Sequence, residues 1–125
     1  MSAYCVFDIR EVLDPAALDT YRQGVRATVE RYGGRYVFVG GAVEVVEGEW
    51  RPAFPVIIEF PSLERARAWY GSAEYRELKE LRLRATRSDA VFMEGLMDGV
   101  EVSPGRDGTT VVMTRRLAGL TAGLT

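Results

Sequence analysis

At 125 residues and 47% hydrophobic composition, the chain is long enough to bury one real core and too short to suggest a second domain. Sixteen Lys and Arg against eighteen Asp and Glu leave a formal net charge of −2, with no basic cluster standing apart from acidic neighbours, so nucleic acid is not an expected partner. The absence of His excludes Ser-His-Asp and Cys-His catalytic sets, a His-bound haem and the common His-containing metal sites.

The opening MSAYCVFDIR has no basic region followed by an apolar stretch, so no signal peptide is expected and the cytoplasm is the default location. The single Cys5 has no internal disulfide partner and no basic neighbour in sequence to lower its pKa, so it reads as a core thiol. Residues 3–10, AYCVFDIR, are rich in β-branched and aromatic types and predict a first strand. Asp14 then caps a helix with Pro15 at its first position. Leu18, Tyr21, Val25, Thr28/Val29 and Tyr32 form one stripe along it, as far as about Tyr32.

Gly33 and Gly34 end that helix, RYVFVGG predicts a second strand, and Gly40-Gly41 predicts a bulge or bend. Neither glycine pair has the spacing that cradles phosphate. AVEVVEGEWRPAF alternates, with a turn at Glu47-Gly48, and predicts a hairpin-like arm whose Trp50 meets a partner subunit. PVIIEF predicts the third strand. Ser62 caps a second helix, which Gly71-Ser72 divides into two pieces before the fourth strand, DAVFMEGL. Residues 96–125 hold a turn signal at 104–108, a β-rich run TTVVMT that predicts an extra strand, and a tail expected to be disordered. No apolar run approaches the roughly 20 residues that cross a bilayer, so no membrane role is expected.

The economical assembly is an α+β, ferredoxin-like βαββαβ fold: a four-stranded antiparallel sheet with two helices on one face. At this point the Asp-Pro helix start, Tyr21-Arg22, RYGGRY at 31–36, GGAVEVVEGEW at 40–50, VIIEFPS at 56–62 and ARAWYGSAEYRELKELR at 66–82 recur in a known order. Over about residues 3–95 the chain resembles the domain-of-unknown-function 1330 family of the dimeric α+β barrel superfamily. The resemblance implies two such sheets packed face to face as a homodimer, residues 1–95 forming the barrel domain and residues 96–125 a C-terminal extension. It implies no activity. Related branches include cofactor-free monooxygenases, lactone isomerases, haem-handling proteins and ligand-sensing domains, so the fold alone does not choose.

Two constellations are candidates for chemistry. Strand alternation suggests that Asp8, Glu59 and Glu94 converge on one sheet face, with Arg35 as counter-charge. A carboxylate there, Asp8 or Glu59, is a candidate base on a weakly acidic substrate; the alternative is a polar layer of ion pairs at the dimer interface. The second set is Tyr21, Arg22, Tyr32, Trp69, Tyr70, Tyr75 and Arg82, its aromatics either filling the space between helices and sheet or lining a small-molecule pocket. Arg82 interrupts an apolar stripe. It either holds a carboxylate or enolate of a ligand or pairs with Glu59 or Glu74. The expectation is a homodimer that binds or transforms a small metabolite without cofactor or metal, with a non-catalytic binding module as the alternative.

Overall fold

The computed structural model describes residues 1–95 and the backbone of residues 100–103 and 110–113. The elements follow the order β1 (Ala3–Val12), α1 (Pro15–Arg31), β2 (Arg35–Val39), β3 (Pro55–Phe60), α2 (Leu63–Tyr70), α3 (Ala73–Ala85), β4 (Thr86–Glu94), β5 (Val100–Ser103) and β6 (Thr110–Met113). Three serine or aspartate caps set the helix starts, each accepting from a backbone N–H of the first turn: Asp14 from Ala17 (3.1 Å), Ser62 from Arg65 (3.1 Å) and Ser72 from Tyr75 (3.2 Å). Gly33, at φ +82°, ends α1 in a conformation that a side chain would strain.

β1, β2, β3 and β4 form one antiparallel sheet in the order β2-β3-β1-β4, as the ferredoxin-like reading requires. The helices cover one face. Buried Ala3, Cys5, Phe7, Ile58 and Phe60 pack there against Leu18, Val25 and Val29 of α1, Trp69 of α2 and Tyr75 of α3. Trp69 stacks on Tyr75 with ring centroids 4.2 Å apart, and its indole N–H donates to Thr28 Oγ1 at 3.0 Å, so its polar edge is satisfied inside the core.

The second helix is in two pieces, as the Gly71-Ser72 break predicts: Gly71 ends α2 and Ser72 caps α3. Two sequence expectations are corrected in detail. β4 starts at Thr86 rather than Asp89; β1 runs on to Val12, so Val12 and Glu11 find partners in Thr86 and Arg87, and Glu11 ion-pairs with Arg87 at 3.1 Å. The hairpin-like arm is absent: residues 41–54 carry no regular pairing, and β2 joins β3 directly through register Arg35↔Glu59 to Val39↔Val56. Alternation in that stretch reflected neither a ladder nor a buried face, since Val43 and Val46 are exposed. The extra strand is present as β6, paired with β5 from Val100↔Met113 to Ser103↔Thr110; the expected tail beyond residue 113 lies outside the described residues.

The register makes the uncovered face explicit. Phe38, Ile57, Val6 and Val91 are successive cross-strand partners, so one apolar row crosses all four strands. Beside it runs a second row, polar at Arg35, Glu59 and Tyr4 and apolar at Met93 of β4. Val91 is 53% and Met93 52% exposed on this face.

Candidate functional site

Between α1 and the helix-covered face of β1, β2 and β3 lies a cavity of about 220 Å³. Its walls are mostly apolar, including Leu18, Val25, Val39, Val56 and Ile58, with the phenols of Tyr21 and Tyr36 and the guanidinium of Arg82 as polar groups. Drug-sized pockets run to about 300–1,000 Å³, so this one suits a smaller molecule.

Arg82 is the unusual wall residue. It is 3% exposed, on the helical stripe of α3 that faces the core, and Thr86 Oγ1 donates to its carbonyl at 2.8 Å to fix the last turn. Its guanidinium lies over the Phe7 ring, 5.1 Å from the centroid, and Nε donates a long 3.4 Å bond to the Tyr75 hydroxyl. Nη2 is buried with no partner among the described residues. The two carboxylates considered as counter-ions are engaged elsewhere. Glu59 accepts from Arg35 Nε at 2.7 Å and from the Tyr4 hydroxyl at 3.0 Å. Glu74 accepts from Tyr32 at 3.1 and 3.2 Å, with Arg31 at 3.6 Å.

The Tyr21 and Tyr75 hydroxyls lie 2.8 Å apart and share one hydrogen bond in which either can donate, and Tyr75 also accepts from Arg82 Nε, so one of the two phenol hydrogens is not used within the pair. Burial, then the Tyr75 hydroxyl, pushes the Tyr21 phenol far above its ordinary value. Burial also raises Tyr75, and pushes Tyr36 up to about 12. These phenols are therefore donors and not bases near neutral pH. Burial pushes the Cys5 thiol up to about 12, and Cys5 does not reach the cavity.

The candidate residues thus separate into groups. Tyr21 and Arg82 meet at the cavity wall with Tyr75 behind them. Trp69 is core, and Tyr70 packs edge-on to Phe92 under the Lys79 ammonium. Arg35 and Glu59 pair on the opposite, uncovered face. Burial raises Glu59, but the Tyr4 and Arg35 hydrogen bonds outweigh it and hold the carboxyl below its ordinary value.

Asp8 is also on the uncovered side, opposite Asp89, and 4% exposed. Its Oδ1 accepts from the backbone N–H groups of Ala53 and Phe54, both at 2.9 Å, while Oδ2 has no partner among the described residues. There it borders a second hollow, of about 180 Å³, with Val6, Trp50, Asp89, Ala90 and Val91. Glu94 pairs with Ala3 in register, which puts it on the helix-covered side, so the expected convergence of three carboxylates on one face does not occur. The slip is one of phase: Glu94 is an even number of residues from Ala90, a partner of core-facing Phe7.

Sequence reasoning did not single out Arg26, Tyr36 and Phe54 as wall residues. For Tyr36 the signal was available, since alternation from Arg35 points it to the covered face. For Phe54 there was none, because an irregular loop delivers it.

The family described as a domain of unknown function, DUF1330, matches residues 2–96. No curated protein matches the chain. Among solved structures, a protein of unknown function from Rhodopseudomonas palustris is 20% identical with a TM-score of 0.60, over 76% of this chain and 82% of that one. A dimeric ferredoxin-like protein of unknown function from Jannaschia sp. CCS1 is 12% identical with a TM-score of 0.53, over 76% of this chain and all of that one (100%). These likenesses agree with the α+β, ferredoxin-like sheet and helices described above. The chain belongs to the DUF1330 family.

Proposed function

We propose that this protein binds a small organic anion in the cavity between α1 and the sheet, one molecule per subunit, with Arg82 as the anchoring cation. The observation that carries the reading is the buried Arg82 Nη2, without a partner among the described residues, at the cavity wall. A buried charge that finds no counter-ion costs several kcal/mol by order of magnitude. A carboxylate or enolate oxygen supplied by a ligand would accept from both Nη2 and the Tyr21 hydroxyl, and apolar walls would strengthen both bonds.

The same wall residues bear on chemistry. Arg82 and Tyr21 can stabilise negative charge on a bound oxygen, as an oxyanion site does, so a substrate that passes through an enolate would be held at that stage. No carboxylate lines the cavity among the described residues, and its phenols stay protonated near neutral pH, so the groups at hand favour a ligand that arrives ionised. The sequence candidates Asp8 and Glu59 enter this proposal as supports of the scaffold, since each faces away from the cavity.

The scaffold is proposed to be a homodimer joined through the uncovered sheet face. The apolar row Phe38, Ile57, Val6 and Val91 supports this, as does the dimeric state described for the Jannaschia protein.

A thermal-shift screen with a panel of small carboxylic and enolic acids tests the binding reading. Wild type should be stabilised by at least one acid. Arg82→Met should lose the response, while Glu59→Gln should keep it. An Arg82→Met response equal to wild type would refute the proposal.

A further inference from the structure

Two more arginines stand at the same cavity. Arg22 and Arg26 both line it, both lie on α1, and both are exposed where Arg82 is buried, so they mark its open end. Each guanidinium is held over an aromatic ring of the wall: Arg22 is 5.6 Å from the Phe54 centroid and Arg26 is 5.0 Å from that of Tyr36. Stacking uses the face of a guanidinium and leaves its N–H edge free for an anion.

Neither arginine forms an ion pair among the described residues. The ion pairs among the described residues use Arg10, Arg31, Arg35 and Arg87. Asp19, one turn before Arg22, accepts instead from Gln23 at 3.2 Å. Like charges four apart on a helix repel, at about 0.2–0.5 kcal/mol, so the pair is not explained by helix stability. The cavity thus carries three arginines and no acidic residue along its wall, with cations at both its buried and its open ends.

Resting on the reading of the cavity as an anion site, we propose that its ligand is a dianion: a small dicarboxylate or carboxylate-phosphate with an apolar middle. One anionic group is seated on Arg82 and Tyr21, and the other lies between Arg22 and Arg26 at the mouth. Val25, Val39 and Val56 line the space between and suit a ring or short hydrocarbon.

Isothermal titration of the full chain with benzoate, terephthalate and benzamide separates the two levels of the claim. Wild type should bind terephthalate about three- to tenfold tighter than benzoate, the range of one or two exposed charge-assisted contacts, and benzamide weakest. The Arg22→Gln/Arg26→Gln double variant, altered only at exposed positions, should bind both acids equally. The terephthalate advantage should also shrink at high salt, because the mouth is solvated.

Equal affinity of wild type for the two acids, or an advantage that survives in the double variant, would overturn the dianion and leave the Arg82 site standing. Failure of both acids to bind, or benzamide binding as well as benzoate, would overturn the anion site itself and the dianion with it.

Discussion

Arg82 carries the functional reading because its buried Nη2 makes no hydrogen bond among the described residues, and Tyr21 stands beside it at the cavity wall. A charge left unpaired in the core is a liability to the free protein, so Arg82→Met, similar in length and apolar, should leave the fold as stable as wild type or raise its melting temperature by a few degrees. Calorimetry of the two proteins without ligand checks this, and a large loss of stability would mean that Arg82 has a structural partner. Tyr21→Phe removes one side of the phenol pair, and should cost about 1–2 kcal/mol in denaturant titration as well as weakening anion binding. Cys5 is buried with its thiol pushed up to about 12, so a thiol reagent at neutral pH should label it only at the rate at which the protein opens. At this scale the residue types were readable in the sequence: an arginine interrupting the stripe of α3 signalled either a ligand site or an ion pair. Choosing between them required knowing that Glu59 and Glu74 are already engaged, which depends on contacts 24 and 42 residues apart in sequence.

At the scale of elements, the junction of the loop 40–54 with β3 controls the cavity. Asp8 holds Ala53 and Phe54 from the uncovered side of the sheet, while the Phe54 ring forms cavity wall on the other. Gly40, at φ +62°, lies so close to that ring that a Cβ would collide with it. Asp8→Ala leaves two backbone donors without their acceptor and should destabilise the protein by about 2–4 kcal/mol. Asp8→Asn keeps an acceptor and should cost less. Both should weaken binding of a carboxylate probe by displacing Phe54, with Asp8→Ala the weaker binder, and a titration showing unchanged affinity would mean that the loop does not shape the cavity. Strands and helices were legible because alternation, stripes and caps are local signals, as Asp14, Ser62 and Ser72 illustrate. The loop was misread as a hairpin because alternation without a burial partner has the same appearance in sequence.

For the whole molecule, the uncovered sheet face is the main unsolved surface of a single chain. The apolar row predicts that light scattering finds twice the 13.9 kDa chain mass at micromolar concentration, and that Val91→Glu, at the β4 end of the row, shifts the particle toward the single-chain mass. A stable single-chain particle in wild type would contradict the dimer. Beside that row, Glu59 joins Arg35 on β2 to Tyr4 on β1. Its folded pKa is held below the ordinary 4.5, so its stabilisation is complete above that pH and is lost as the pH falls through the lower folded value. Acid denaturation should therefore be less steep below pH 4.5 in Glu59→Gln than in wild type. The order of the elements was enough to infer the sheet. Which residues share a face was readable for β1 and β3 but failed at Glu94, since an error of one residue in phase reverses the face.

A crystal structure of the protein grown with benzoate tests whether Arg82 receives an anion inside the cavity: a carboxylate oxygen is expected at hydrogen-bond distance from Arg82 Nη2 and the Tyr21 hydroxyl, with the ring among Val25, Val39 and Val56. A cavity without benzoate, and Arg82 paired instead with a carboxylate of either subunit, would contradict it.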